Sequence, residues 1–236
     1  MSKLFNFLVL IYIIFIAIHL YCCYFRVIEI RKITKVFLMP LLSTLYYLGT
    51  PEAQFSKNVL AGIFFGFLGD VLLLVDDPFS SLVVPGVVSF FIGHLLYMVS
   101  FLRETGYYNY KKYFFVLLII SSIFCYIGTI AFKYLKEGFA KGNVMIPGIS
   151  YLSLLMLLNI AACFYTFIYF NKYSLLASIG SLVFFISDFI LVRKMFYEEN
   201  KYYQVILMAT YILAQSLISY GLSHRRSKYI HKEKEV

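Results

Sequence analysis

The chain has 236 residues, 61% of them hydrophobic and 14% charged, with a formal net charge of +9. Soluble domains carry about 25% charged residues, so this composition, with a mean hydropathy of +0.81, excludes a soluble globular fold and indicates an integral membrane protein. The placement of the basic excess argues against nucleic acid: Lys and Arg lie in short connections and in a tail over 224–234, flanking apolar runs, where anionic lipid headgroups are the matching partner.

A hydrocarbon core about 30 Å thick needs about 20 apolar residues per helix. Apolar runs at residues 4–25, 33–48, 59–75, 82–102, 114–132, 144–170, 174–192 and 203–222 predict an all-α, polytopic membrane protein of about eight transmembrane helices. Residues 1–223 form the helical domain and 224–236 a basic polar tail. The first run is longer than the apolar region of a signal peptide and lacks a small-residue cleavage site before Cys22-Cys23, so it reads as a retained helix, with His19 as a structural residue. The second is short and carries Pro40, which predicts a tilted, kinked or partly spanning segment. The third and seventh each hold one acid, Asp70 and Asp188, whereas the other ten of the twelve acids fall between or beyond the runs. An acid inside a membrane span is costly, and its presence marks a candidate functional site.

Asp76-Asp77-Pro78 reads as a solvated turn after the third run. The fourth run carries His94 and Tyr97, the sixth Tyr151, and the eighth Tyr211 and Gln215. Cys22, Cys23, Cys125 and Cys163 have no CxxC spacing and no accompanying His cluster, which argues against a zinc site or a disulfide framework. They read as reduced packing residues, with palmitoylation at the membrane edge as the alternative, and no metal or cofactor is implied. With eight spans, eleven of the 21 Lys and Arg residues fall on the side of the termini and ten on the other, so the positive-inside rule sets no orientation.

The stretch from Phe64 through Gly69-Asp70 to Leu74 resembles that from Val183 through Ser187-Asp188 to Val192, each a small residue and an Asp followed by large aliphatics. The offset between Asp70 and Asp188, 118 residues, also carries Tyr97 onto Gln215. Four spans separate the copies, so both run the same way through the bilayer, as in parallel four-helix repeats. At about 1.5 Å rise per residue, counted from the face opposite the termini, both acids lie roughly 6 to 8 Å deep, Tyr151 and Tyr211 about 10 to 12 Å, and His94 and Gln215 about 18 Å. One cavity could reach all six.

The order and spacing of Gly69-Asp70-Val71-Leu72-Leu73, His94-Leu95-Leu96-Tyr97, Tyr151 with Met156, Ser187-Asp188 and Tyr211 with Gln215 resemble the lysoplasmalogenase family, the YhhN-like multi-pass membrane proteins, over about residues 33–222. The resemblance implies an eight-helix membrane hydrolase that cleaves the vinyl ether bond of lysoplasmalogens, releasing a fatty aldehyde and a glycerophospho-ethanolamine or glycerophosphocholine. The family's two candidate catalytic Asp positions match Asp70 and Asp188. One departure is visible: family members usually carry Lys immediately before the proline of the second helix, where this chain has Met39-Pro40, with Lys35 one turn earlier.

That chemistry suits two carboxyl groups. An enol ether hydrolyses by protonation of its β-carbon, giving an oxocarbenium ion that water attacks. Desolvation disfavours the charged form of a carboxylic acid, so one Asp can stay protonated while the other, ionised, stabilises the cation and accepts a proton from water. His94, Tyr97, Tyr151, Tyr211 and Gln215 would position water, hydrogen-bond the acids or contact glycerol, and Lys35 with Arg31 and Lys32 would meet the phosphate of a lysophospholipid. Paired acids in a parallel repeat also mark transport sites, so a small transporter or proton-coupled carrier is the alternative.

Overall fold

Each apolar run becomes a helix, because a lipid-facing backbone must satisfy its polar groups within the segment. The computed structural model describes residues 3–74, 80–197, 200 and 202–224. The expected turn at Asp76-Asp77-Pro78 and the basic tail beyond His224 lie outside the described residues.

In chain order the helices are α1 (Lys3–Phe25), α2 (Ile28–Gly49), α3 (Lys57–Leu72), α4 (Val83–Thr105), α5 (Tyr107–Lys112), α6 (Phe114–Lys141), α7 (Met145–Ile168), α8 (Lys172–Phe196) and α9 (Tyr203–Ser223), with a 3-10 turn at Glu52–Gln54. No strand occurs among the described residues. Six helices, α1, α4, α6, α7, α8 and α9, are long and apolar enough to cross a membrane, which makes this a multi-pass membrane protein.

Of the two remaining long helices, the one with the shorter apolar run is the longer helix. The proline-bearing α2 is a continuous helix of 22 residues, with Thr44 Oγ1 donating to the Pro40 carbonyl at 2.9 Å; the short element is α3, at 16 residues. The apolar run understated α2 because its first two turns are built from Glu29, Arg31, Lys32 and Lys35, and charged residues of this kind are good helix formers. The same effect carries α6 to Lys141 and α8 to Phe196, well beyond their apolar runs.

The order α1–α4 recurs as α6–α9, with α5 as the joint. Packing recurs as well: α1 lies on α2 as α6 lies on α7, α3 on α4 as α8 on α9, and α4 crosses to α7 as α9 crosses to α2. The halves therefore interlock. Tyr97 donates a hydrogen bond to Gln215 Oε1, joining two residues at the repeat offset. Gly62 and Gly180, another offset pair, each allow a close approach: a Cβ on Gly62 would stand 2.8 Å from the Tyr97 ring, and one on Gly180 2.9 Å from the Ile218 backbone nitrogen. His19 is buried between α1 and α2, its Nδ1 2.8 Å from Thr34 Oγ1 and its Nε2 3.5 Å from Cys23 Sγ, in keeping with a structural role.

Candidate active site

Asp70 sits on the last turn of α3 and Asp188 on α8, both buried. The small residue before each acid has a packing cause. A Cβ on Gly69 would come within 2.7 Å of the Phe90 ring of α4, while Ser187 lies against α9 and donates to the Leu207 carbonyl at 3.2 Å.

Around Asp70, Tyr211 of α9 donates its hydroxyl to Oδ2 at 2.8 Å. Lys35 of α2 places its ammonium 3.4 Å from Oδ1 and 3.5 Å from the Leu73 carbonyl exposed at the end of α3. Around Asp188, Tyr151 of α7 donates to Oδ2 at 2.9 Å, and His94 Nε2 lies 3.5 Å from the same oxygen. His94 Nδ1 is 2.7 Å from the Phe90 carbonyl, which can only accept, so Nδ1 carries the hydrogen. A neutral His94 therefore turns its Nε2 lone pair toward Asp188, buried and without a hydrogen bond of its own among the described residues. The Phe184 ring, 4.3 Å from the imidazole and edge-on, fixes that orientation.

The two acids border one chamber of about 70 Å³, together with Lys35, Tyr211, Arg31, Lys32 and Lys194. A second cavity, about 170 Å³ and almost wholly apolar, lies between α4, α6, α7 and α8; Phe90, Asp188 and Leu191 border both. A carboxyl group at the seam of a cationic chamber and an apolar one suits proton chemistry on an amphiphile.

A family model described as the YhhN family matches residues 30–222. The chain belongs to the YhhN family. That family includes lysoplasmalogenases, and the matched stretch takes in nearly all of α2, the whole of α3 to α8 and all but the last residue of α9, with every candidate residue of the site. Neither a curated protein nor a solved structure matches the chain.

Six of the residues singled out in the sequence meet in two clusters within this YhhN fold: Asp70 with Lys35 and Tyr211, and Asp188 with His94 and Tyr151. Tyr97 and Gln215 instead bond each other, and among the described residues neither hydrogen-bonds a carboxylate. The Gln215 amide and the Tyr211 hydroxyl both lie over Gly66, where a Cβ would meet them at 2.8 and 3.2 Å, so the Tyr97–Gln215 pair forms a layer behind Tyr211. Met39 is fully buried in the core and does not line the chamber, whereas Lys35 does. Lys194 was missed because the apolar run stops at Val192; the signal was helical spacing, since Ser187, Leu191 and Lys194 fall on one face of α8 and all line the chamber.

Proposed function

We propose that the protein hydrolyses the vinyl ether bond of lysoplasmalogens, releasing a fatty aldehyde and a glycerophospho-ethanolamine or glycerophosphocholine, with Asp70 and Asp188 as its acid–base pair. The observation that carries this reading is the bordering of one cation-lined chamber by two carboxyl groups from repeat-related helices, each gripped by a tyrosine. One carboxylic acid gives its proton to the enol ether β-carbon, forming a C–H bond and an oxocarbenium ion. The other carboxylate accepts a proton as water adds to the cationic carbon. The resulting hemiacetal collapses as the second group returns its proton to the departing glycerol oxygen and the first, now a carboxylate, takes the hemiacetal hydroxyl proton, so both acids return to their starting forms.

The test is a mass-spectrometric product assay on detergent-purified protein with vinyl ether, alkyl ether and acyl lysolipids side by side. Only the enol ether offers a basic carbon, so only it should be consumed. Asp70→Asn and Asp188→Asn should each lower aldehyde release by roughly 10²- to 10⁴-fold; full activity in either variant removes that residue from the mechanism. The interlocked repeat also suits a carrier. Solute or proton flux into sealed proteoliposomes without product would favour that reading instead.

A further inference from the structure

We infer that the two cavities are the halves of one lipid site, with the phosphate held in the chamber of Arg31, Lys32 and Lys194, the hydrocarbon chain in the apolar cavity, and Asp188 at the seam as the residue that protonates the enol ether. The assignment of Asp188 rests on the hydrolase reading above; the two-part site does not.

A single-chain phospholipid is anionic at one end and pure hydrocarbon at the other, and the protein offers both environments in continuity. The chamber brings cations from α2 and α8 together. The apolar cavity is walled by Val84, Val87 and Val88 of α4, at helical spacing, and by Leu135 and Phe139 of α6. Val84 is 55% exposed and Val88 49%, so the cavity borders the face that α4 turns to lipid, from which a chain can slide in sideways.

Placing the lipid this way separates the two acids. The carbon to be protonated belongs to the chain, one bond beyond the carbon that carries the ether oxygen, so it lies on the apolar side of the scissile bond. Asp188 borders the apolar cavity and Asp70 does not. Asp70, with the Lys35 ammonium beside it, stays on the glycerol side as the anion that takes a proton from water. The balance is closed: Asp188 loses a proton to carbon and Asp70 gains one from water, then on collapse Asp70 passes its proton to the departing glycerol oxygen while the hemiacetal hydroxyl gives its own to Asp188.

The experiment compares substrates within each variant, so a general loss of activity does not mimic the result. For Val87→Phe, with Val84→Phe as a second variant, kcat/KM is measured for hexadecenyl and octenyl lysoplasmalogens; the long-to-short ratio should fall about tenfold, because the added ring takes the room of two or so methylenes. For Lys194→Gln, KM should rise for the phosphate-bearing substrate and not for alkenyl glycerol. Asp188→Asn should cost more than Asp70→Asn, and residual Asp70→Asn turnover should keep the solvent deuterium effect of a slow proton transfer to carbon. Unchanged ratios overturn the two-part site, and a larger loss in Asp70→Asn overturns the assignment of the donor. If the wild-type protein releases no aldehyde, the hydrolase reading fails with the donor assignment. The lipid site is then decided by hexadecyl-ether lysophosphocholine, which should raise the thermal midpoint of the wild type but not of Val87→Phe; equal shifts, or none, overturn it.

Discussion

Replacing Lys35 by Met tests whether the ammonium beside Asp70 is part of the folded scaffold. At 3.4 Å and an effective dielectric constant of about 20, the attraction is about 5 kcal/mol. Part of this is offset because Met, unlike Lys, needs no water, leaving a net loss of about 3 kcal/mol, in the range for stranding one member of a buried pair. For a chain of this length that corresponds to a fall of about 6 to 12 °C in thermal midpoint. Asp70→Asn should cost less, about 1 kcal/mol, since the Lys35 side chain is 14% exposed and can turn its head toward water in the chamber. The double variant should be little worse than Asp70→Asn alone, which is a coupling of about 3 kcal/mol. With no Trp in the chain, unfolding is followed in detergent by far-ultraviolet circular dichroism. Additivity of the two single effects to within about 0.5 kcal/mol would show that the groups do not interact, and the assignment of Asp70 as an anion held by Lys35 would fall.

Tyr151→Phe removes the hydroxyl that donates to Asp188 at 2.9 Å, a bond that becomes one to a charged group, worth about 1.5–3 kcal/mol, as Asp188 gives up its proton; aldehyde release should drop roughly 10- to 100-fold, whereas Tyr97→Phe, whose bond goes to Gln215, should lower stability more than rate. Gly221→Ala places a Cβ 2.5 Å from the Tyr173 carbonyl oxygen and 2.7 Å from the Ala177 nitrogen, both backbone atoms that cannot step aside, so a thermal scan should show a loss of about 1–3 kcal/mol. Gly49→Ala meets only the far edge of the Phe5 ring at 2.7 Å; that side chain can swing away, and the scan should move little.

Hydropathy made the helices legible and misjudged their ends, for one reason in each direction. Charged residues continue a helix as well as apolar ones do, so α2 and α8 outran their apolar runs and Lys194 was overlooked. The depth count placed both acids near a helix end. This holds for Asp70, two residues before Leu72, whereas α8 continues for eight residues after Asp188. Residue types and order singled out Asp70, Asp188, Lys35, His94, Tyr151 and Tyr211, which the fold gathers into two clusters, along with Tyr97 and Gln215, which it pairs with each other, yet could not say which partner goes with which acid. That depends on crossings between distant helices. His94 lies on α4, the immediate packing partner of the Asp70 helix, but α4 also crosses α7, and the imidazole is delivered to Asp188.

The repeat explains why there are two carboxyl groups, and its decay explains why they can differ. Shifted by 118 positions, Asp70 falls on Asp188, but Lys35 falls on Ser153, His94 on Ile212, Tyr211 on Gly93 and Tyr151 on Ile33. The backbone symmetry places two identical acids on one chamber, while every contact that defines their surroundings belongs to one copy only. Even the tyrosines are asymmetric: Tyr211 reaches from the second half to the acid of the first, and Tyr151 serves the acid of its own half. Two like carboxyl groups in equivalent surroundings would share their protons without distinction, whereas an acid and a base require environments that push them apart. An ammonium beside one and an imidazole beside the other supply that difference. Removing Lys35 and His94 together would take that difference away and leave the apolar cavity, which borders Asp188 and not Asp70, as the remaining distinction between the two acids.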